Sequence, residues 1–111
     1  MSDLIPENVK LEVTEGSDKG EVFIINNKTI TIGRDEGCDM VLNDEHVSLK
    51  HAQVVFRNDH FTVIDLGSLN KTMVNNNVYV QKNLSNGDII SMGKTNLLFS
   101  NESGAEPEVN E

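Results

Sequence analysis

Apolar residues in this chain recur at every second position in short bursts, and turn-forming residues end each burst within a few positions. Leu11 and Val13 alternate with polar neighbours before a turn-rich break from Gly16 to Gly20. Val22 to Ile25 is a short apolar run closed by Asn26 and Asn27, and Ile30 and Ile32 alternate up to Gly33. Val41 and Leu42 form a further piece. Ala52, Val54 and Phe56 then share one face of a run, and Phe61 and Val63 repeat the period before Asp65. Val78 to Val80, Ile89 to Met92 and Leu97 to Phe99 complete the series. A two-residue period places alternate side chains on opposite faces of a strand, so each burst buries one face and two sheets must close on each other. A helix would need an apolar stripe sustained over about ten residues, and none is present; at most a short turn is expected near Asp44 to Lys50. The expected fold is all-β, an antiparallel-rich sandwich.

The 111 residues are enough for one domain with its own core. Cys38 is the only cysteine, so no internal disulfide forms and packing alone must hold the fold. That suits a reducing, cytoplasmic setting. The last stretch, NESGAEPEVNE, is acidic and nearly free of apolar residues, too poor in burial to offset its ordering entropy. The expected organisation is a flexible N-terminus at 1–8, the domain at 9–100, and an acidic disordered tail or linker at 101–111. The first residues, MSDLIPENVK, lack the basic and apolar regions of a signal peptide, and no apolar run is long enough to span a bilayer. A formal net charge of −9 with only two arginines, Arg34 and Arg57, excludes general nucleic-acid or anionic-membrane binding. Any bound anion must be held by a small local site.

Three segments carry such a site in order. The first is Gly33-Arg34, in TIGRDEGCDMVLND, where an alternating strand gives way to a loop. The second is Ser48-x-x-His51, in VSLKHAQVVF. The third is the run Asp65-Leu66-Gly67-Ser68-Leu69-Asn70-Lys71-Thr72, followed by Met73-Val74-Asn75. Alone, Gly-Arg reads as an ordinary surface arginine at a strand end. Together the three resemble the signature of the forkhead-associated (FHA) domain, across about Leu11 to Phe99 and including the late turn Asn86-Gly87-Asp88.

That resemblance implies an eleven-stranded twisted β-sandwich with its binding loops at one end, and a phosphothreonine-containing protein segment as ligand. A phosphothreonine brings about −1.5 to −2 charge and three acceptor oxygens, which call for a fixed planar cation, hydroxyl donors and backbone N–H groups. By resemblance Arg34 is that cation, Ser48 the hydroxyl donor, and Asn70 the clamp on the ligand main chain. Leu49, Leu69 and Lys71 complete the expected binding residues. Gly33, His51, Asp65, Ser68, Thr72 and Asn75 are expected to brace the loops, Gly33 through a close backbone approach or a special φ. A bare Ser48-x-x-His51 also fits a nucleophile and its base, but no orienting acid is identifiable beside it.

The chain departs from the family pattern at four places. Leu69 stands where a threonine often contributes a hydroxyl to phosphate, and Leu49 where a polar or basic residue is common. Lys71 and Asn76 each replace a usual glycine, so a positive φ would be strained at Lys71 and better tolerated at Asn76. Lys50 or Lys71 would supply a replacement charge. Cys38 reads as a small buried hydrophobe, while His46 and His60, which have no partner at metal-ligand spacing, read as solvent-exposed. No metal, cofactor or catalytic residue is expected, and the isolated domain is expected to be monomeric. The reading is a phosphopeptide-binding module in Ser/Thr kinase signalling; the alternative is a phosphate-independent scaffolding module on the same fold, with an enzyme third.

Overall fold

A computed structural model describes residues 4–102. Eleven strands follow one another: β1 (Val9–Glu15), β2 (Val22–Ile24), β3 (Thr29–Gly33), β4 (Met40–Val41), β5 (Ala52–Arg57), β6 (His60–Asp65), β7 (Met73–Val74), β8 (Asn77–Val78), β9 (Gln81–Asn83), β10 (Ile89–Met92) and β11 (Thr95–Asn101). They form a six-stranded sheet in the order β2-β1-β11-β10-β7-β8 and a five-stranded sheet in the order β4-β3-β5-β6-β9. Pairing is antiparallel except between β3 and β4. The all-β sandwich is as the periodicity requires. Among the described residues no helix is long and apolar enough to cross a membrane.

The alternating apolar faces of β1, β3, β5, β6, β10 and β11 are buried, whereas Val22, Ile24, Val78 and Val80 are exposed. Val9, Leu11 and Val13 of β1 lie opposite Asn101, Phe99 and Leu97 of β11. In the other sheet Val54 pairs with Val63 and Phe56 with Phe61, all pointing into the core. Phe61 packs on Phe56 with ring centroids 4.7 Å apart and reaches Phe99 of the opposite sheet at 5.5 Å, tying the two layers together.

The cluster Val78 to Val80 is not the single strand its apolar content suggests. Only Val78 lies in β8, Val80 is 76% exposed, and the next strand, β9, is the polar segment Gln81–Asn83. β8 and β9 are edge strands paired on one side only and do not need an apolar alternation, so they leave little periodic trace. The strand β11 continues to Asn101, whose buried amide donates to the Asn86 side chain at 2.8 Å. Of the segments set apart by composition, residues 1–3 and 103–111 lie outside the described residues. His46 is exposed as expected, but His60 is half-buried, and its Nδ1 has no hydrogen-bond partner among the described residues. Cys38 is buried with a free thiol, and burial pushes that thiol's pKa up.

Register sets where the loops meet. Ile32 of β3 pairs with Ala52 of β5, and Ala52 pairs with Asp65 of β6. The end of β3, the start of β5 and the end of β6 therefore lie side by side, so the three motif segments leave the five-stranded sheet at one end.

Candidate functional site

Gly33 lets two of these loops touch. A Cβ there would overlap the Leu49 carbonyl oxygen, so only glycine fits; its φ is not among the positive ones, and the close approach is the reason for the residue. The following amides exploit the proximity: Arg34 N–H donates to the Ser48 carbonyl and Asp35 N–H to the Leu49 carbonyl, each at 3.1 Å. The Cys38 thiol also reaches the Leu49 carbonyl, at 3.2 Å. Arg34 is exposed, yet its Nε donates to the Val47 carbonyl at 2.8 Å, which fixes the side chain and leaves the outer guanidinium nitrogens uncommitted. Arg34, Lys50 and Lys71 make no ion pair among the described residues, in a chain with twice as many acids as bases.

His51 joins the second loop to the third. It is fully buried. Its Nδ1 accepts from the Ser48 amide at 3.0 Å, so that nitrogen carries no proton, and Nε2 must donate to the Lys71 carbonyl at 2.8 Å. With both ring nitrogens held by backbone, His51 is not a base for the Ser48 hydroxyl. That hydroxyl oxygen instead accepts from the Leu69 amide at 3.1 Å, and its own hydrogen stays available to donate.

Asp65 shapes the third loop. One carboxylate oxygen accepts from the Ser68 hydroxyl at 2.5 Å and the Thr72 hydroxyl at 2.7 Å; the other accepts from the Gly67 and Ser68 amides, both at 3.0 Å. Burial alone would raise its pKa, but these four bonds outweigh that and hold the carboxyl below its usual range. Ser68 and Thr72 are buried against it. Beyond this hub Asn70 is exposed and its side-chain amide donates to the His46 carbonyl at 2.7 Å, a bridge to the second loop. Lys71 adopts a φ of 70° and Asn76 one of 73°, so both keep the left-handed conformation that glycine would hold without strain. For a lysine this costs about 1–2 kcal/mol. Leu49 and Leu69 are 53% and 83% exposed.

The structure thus brings Gly33, Arg34, Ser48, Leu49, His51, Asp65, Ser68, Leu69, Asn70, Lys71 and Thr72 together. Asn75 stands apart, in the turn between β7 and β8, where its side chain bonds Asp88 at 2.9 Å and accepts from the Ile89 amide at 3.0 Å. One supporting residue was not singled out from sequence. Asp44 accepts from the His46 amide, the Lys94 amide and the Thr95 hydroxyl, at 2.9, 2.7 and 2.8 Å, and so ties the second loop to the turn between β10 and β11. Burial raises its pKa, but these bonds and the nearby His46 lower it further. Its partners lie about fifty residues on, so only the N–H two residues ahead was legible, as an Asx turn. Among the described residues no cluster of His, Cys, Asp or Glu is placed to hold a metal.

Comparison with known proteins gives a consistent family. A profile described as "Inner membrane component of T3SS, cytoplasmic domain" matches residues 12–103. An oxoglutarate dehydrogenase inhibitor of Corynebacterium jeikeium is 39% identical over 100 residues, covering 89% of this chain and 69% of that protein. The glycogen accumulation regulator GarA of Mycobacterium tuberculosis is 36% identical over 96 residues, 86% of this chain but 59% of its own length, so the relatives extend well beyond the shared part. A solved structure from work on phosphothreonine-dependent FHA domain interactions superposes with a TM-score of 0.79 at 28% identity, over 85% of this chain and 96% of that one.

Proposed function

The chain belongs to the forkhead-associated (FHA) domain family, and on that footing we propose that it reads phosphothreonine in partner proteins, coupling a Ser/Thr kinase to the protein it binds. The observation that carries this reading is the convergence of three loops on one exposed arginine that has no acidic partner among the described residues. Arg34 is anchored through Nε, so its two remaining guanidinium nitrogens present a planar fork to a phosphate. Ser48 stands beside it, its hydroxyl oxygen bonded directly by the Leu69 amide and its own amide linked through His51 to the Lys71 carbonyl, with a hydroxyl hydrogen to donate. Asn70 takes the ligand main chain in this scheme, exchanging its bond to His46 for bonds to peptide N–H and C=O groups. Lys50 and Lys71 add charge nearby.

The role is binding and not catalysis. The Ser48–His51 pair lacks the hydrogen bond a nucleophile needs from its base, and its histidine is committed to backbone. The relatives, an oxoglutarate dehydrogenase inhibitor and a glycogen accumulation regulator, support a regulatory binder acting on other proteins. A cytoplasmic location, where kinases and their substrates meet, and a monomeric isolated domain belong to the same reading. A second reading, a phosphate-independent interaction module, draws on Leu69, which supplies no hydroxyl where one would face the phosphate.

Arg34→Ala separates the two. A hydrogen bond to a charged group contributes about 1.5–3 kcal/mol, so loss of the fork should weaken phosphopeptide binding at least about tenfold. The variant loses the bond from the charged guanidinium to the Val47 carbonyl and should fall in stability by no more than about 3 kcal/mol. Unchanged affinity in a folded variant would favour the phosphate-independent module.

A further inference from the structure

Resting on the phosphothreonine reading, we propose that Leu49 and Leu69 read an apolar side chain next to the phosphothreonine, so that this domain selects phosphorylated sites with a hydrophobic neighbour.

The two leucines are the residues immediately around the phosphate-binding serine. Leu49 follows Ser48 in the chain, and the Leu69 amide is bonded to the Ser48 hydroxyl at 3.1 Å. Their backbones are fixed from the far side: the Leu49 carbonyl accepts from Asp35 and Cys38, and the loop carrying Leu69 is held by Asp65 and His51. The side chains nevertheless stand in solvent, 53% and 83% exposed. A rigid backbone with an exposed apolar side chain is a pre-organised contact, because covering it costs little further ordering.

Distance limits which ligand residue can cover them. An extended peptide advances about 3.3 Å per residue, and the Leu69 amide already touches the serine that meets the phosphate. The covering side chain therefore belongs to a residue one or two positions from the phosphothreonine. Lys50 and Lys71 offer the competing preference, for an acidic neighbour. Both lysines are exposed, and exposed Lys–carboxylate contacts contribute little. Covering most of one leucine is worth about a tenfold gain in affinity. The leucines should therefore set the preference. Leu69 thereby takes on a selective role at the place where a hydroxyl would have served the phosphate.

The test uses the whole chain and a synthetic peptide library with one fixed phosphothreonine and degenerate flanks, followed by titration of single peptides bearing Leu, Ala or Asp beside it. The expected result is enrichment of Leu, Ile, Val, Met or Phe at one or both neighbouring positions, and a Leu peptide bound about tenfold tighter than its Ala counterpart. In Leu69→Ala and Leu49→Ala the ratio of Leu-peptide to Ala-peptide affinity should fall to about two or less, with thermal melting confirming the fold. Equal binding of Leu and Ala peptides by the parent chain, a preference for Asp, or a preference that survives both substitutions would each overturn the inference and leave phosphothreonine reading standing. Failure of every phosphopeptide to bind, or equal binding after dephosphorylation, would instead overturn the reading on which it rests.

Discussion

Replacing His51 by alanine should unfold the loop end of the domain before it touches the ligand. The side chain is fully buried and satisfies two backbone groups from different loops, the Ser48 amide at 3.0 Å and the Lys71 carbonyl at 2.8 Å. Alanine leaves both without a partner. A buried donor or acceptor left unsatisfied costs about 1–3 kcal/mol, so the pair costs about 2–6 kcal/mol. Water entering the vacated polar space would recover part of this, which places the expected loss at about 2–4 kcal/mol. For a domain of this size each kcal/mol lowers the melting midpoint by about 4–8 °C, so a fall of roughly 8–32 °C is expected. His51→Asn, whose side-chain oxygen can still accept from Ser48 but whose amide falls short of Lys71, should lie between the two. The assay is thermal unfolding followed by circular dichroism, with phosphopeptide titration on the same samples well below the lowered midpoint. A His51→Ala protein as stable as the parent, with binding lost, would refute the reasoning and put the imidazole in contact with the ligand.

Gly33→Ala should cost about 2 kcal/mol or more, because its new methyl group meets the Leu49 carbonyl, a backbone atom that cannot swing aside; chemical denaturation reads this directly. Asp65 and Asp44 both have folded-state pKa values below the unfolded ones, so their contribution to stability is complete above the unfolded carboxylate range and is lost as pH falls through the folded values. Melting midpoints should therefore drop steeply in acid, and the drop should be shallower in Asp65→Asn, which starts less stable at neutral pH; parallel curves would contradict the hub role. Lys71→Gly relieves the strain of a φ of 70° but adds unfolded-state entropy, so stability should stay within about 1 kcal/mol of the parent while any loss of affinity reports the lysine charge.

Much of this was legible because strands buried on one face must alternate. Ala52, Val54 and Phe56, and Phe61 and Val63, announced two strands, which the structure pairs with each other. The candidate site was drawn on a different ground, the resemblance of Gly33-Arg34, Ser48-x-x-His51 and the Asp65-to-Thr72 run to the FHA signature, and the structure gathers these segments at one end of the five-stranded sheet. What escaped was whatever depended on a single distant partner. The polar edge strand β9 is specified by pairing with β6 and not by any pattern of its own. Asp44 gains its role from Lys94 and Thr95, which nothing near it in sequence foretells. The choice between a close approach and a positive φ at Gly33 needed the Leu49 carbonyl to be located.

The central claim is that phosphate, presented on threonine, is what this loop cluster recognises. On the proposed reading Arg34 and Ser48 would give at least two charge-assisted contacts, together worth about 3–6 kcal/mol, or a hundredfold to ten-thousandfold in affinity. The direct measurement is calorimetric titration of one phosphothreonine peptide, chosen from the library, against the same peptide dephosphorylated. Preference for the phosphorylated form by at least about a hundredfold is the predicted result, and equal affinity for the two forms would contradict it.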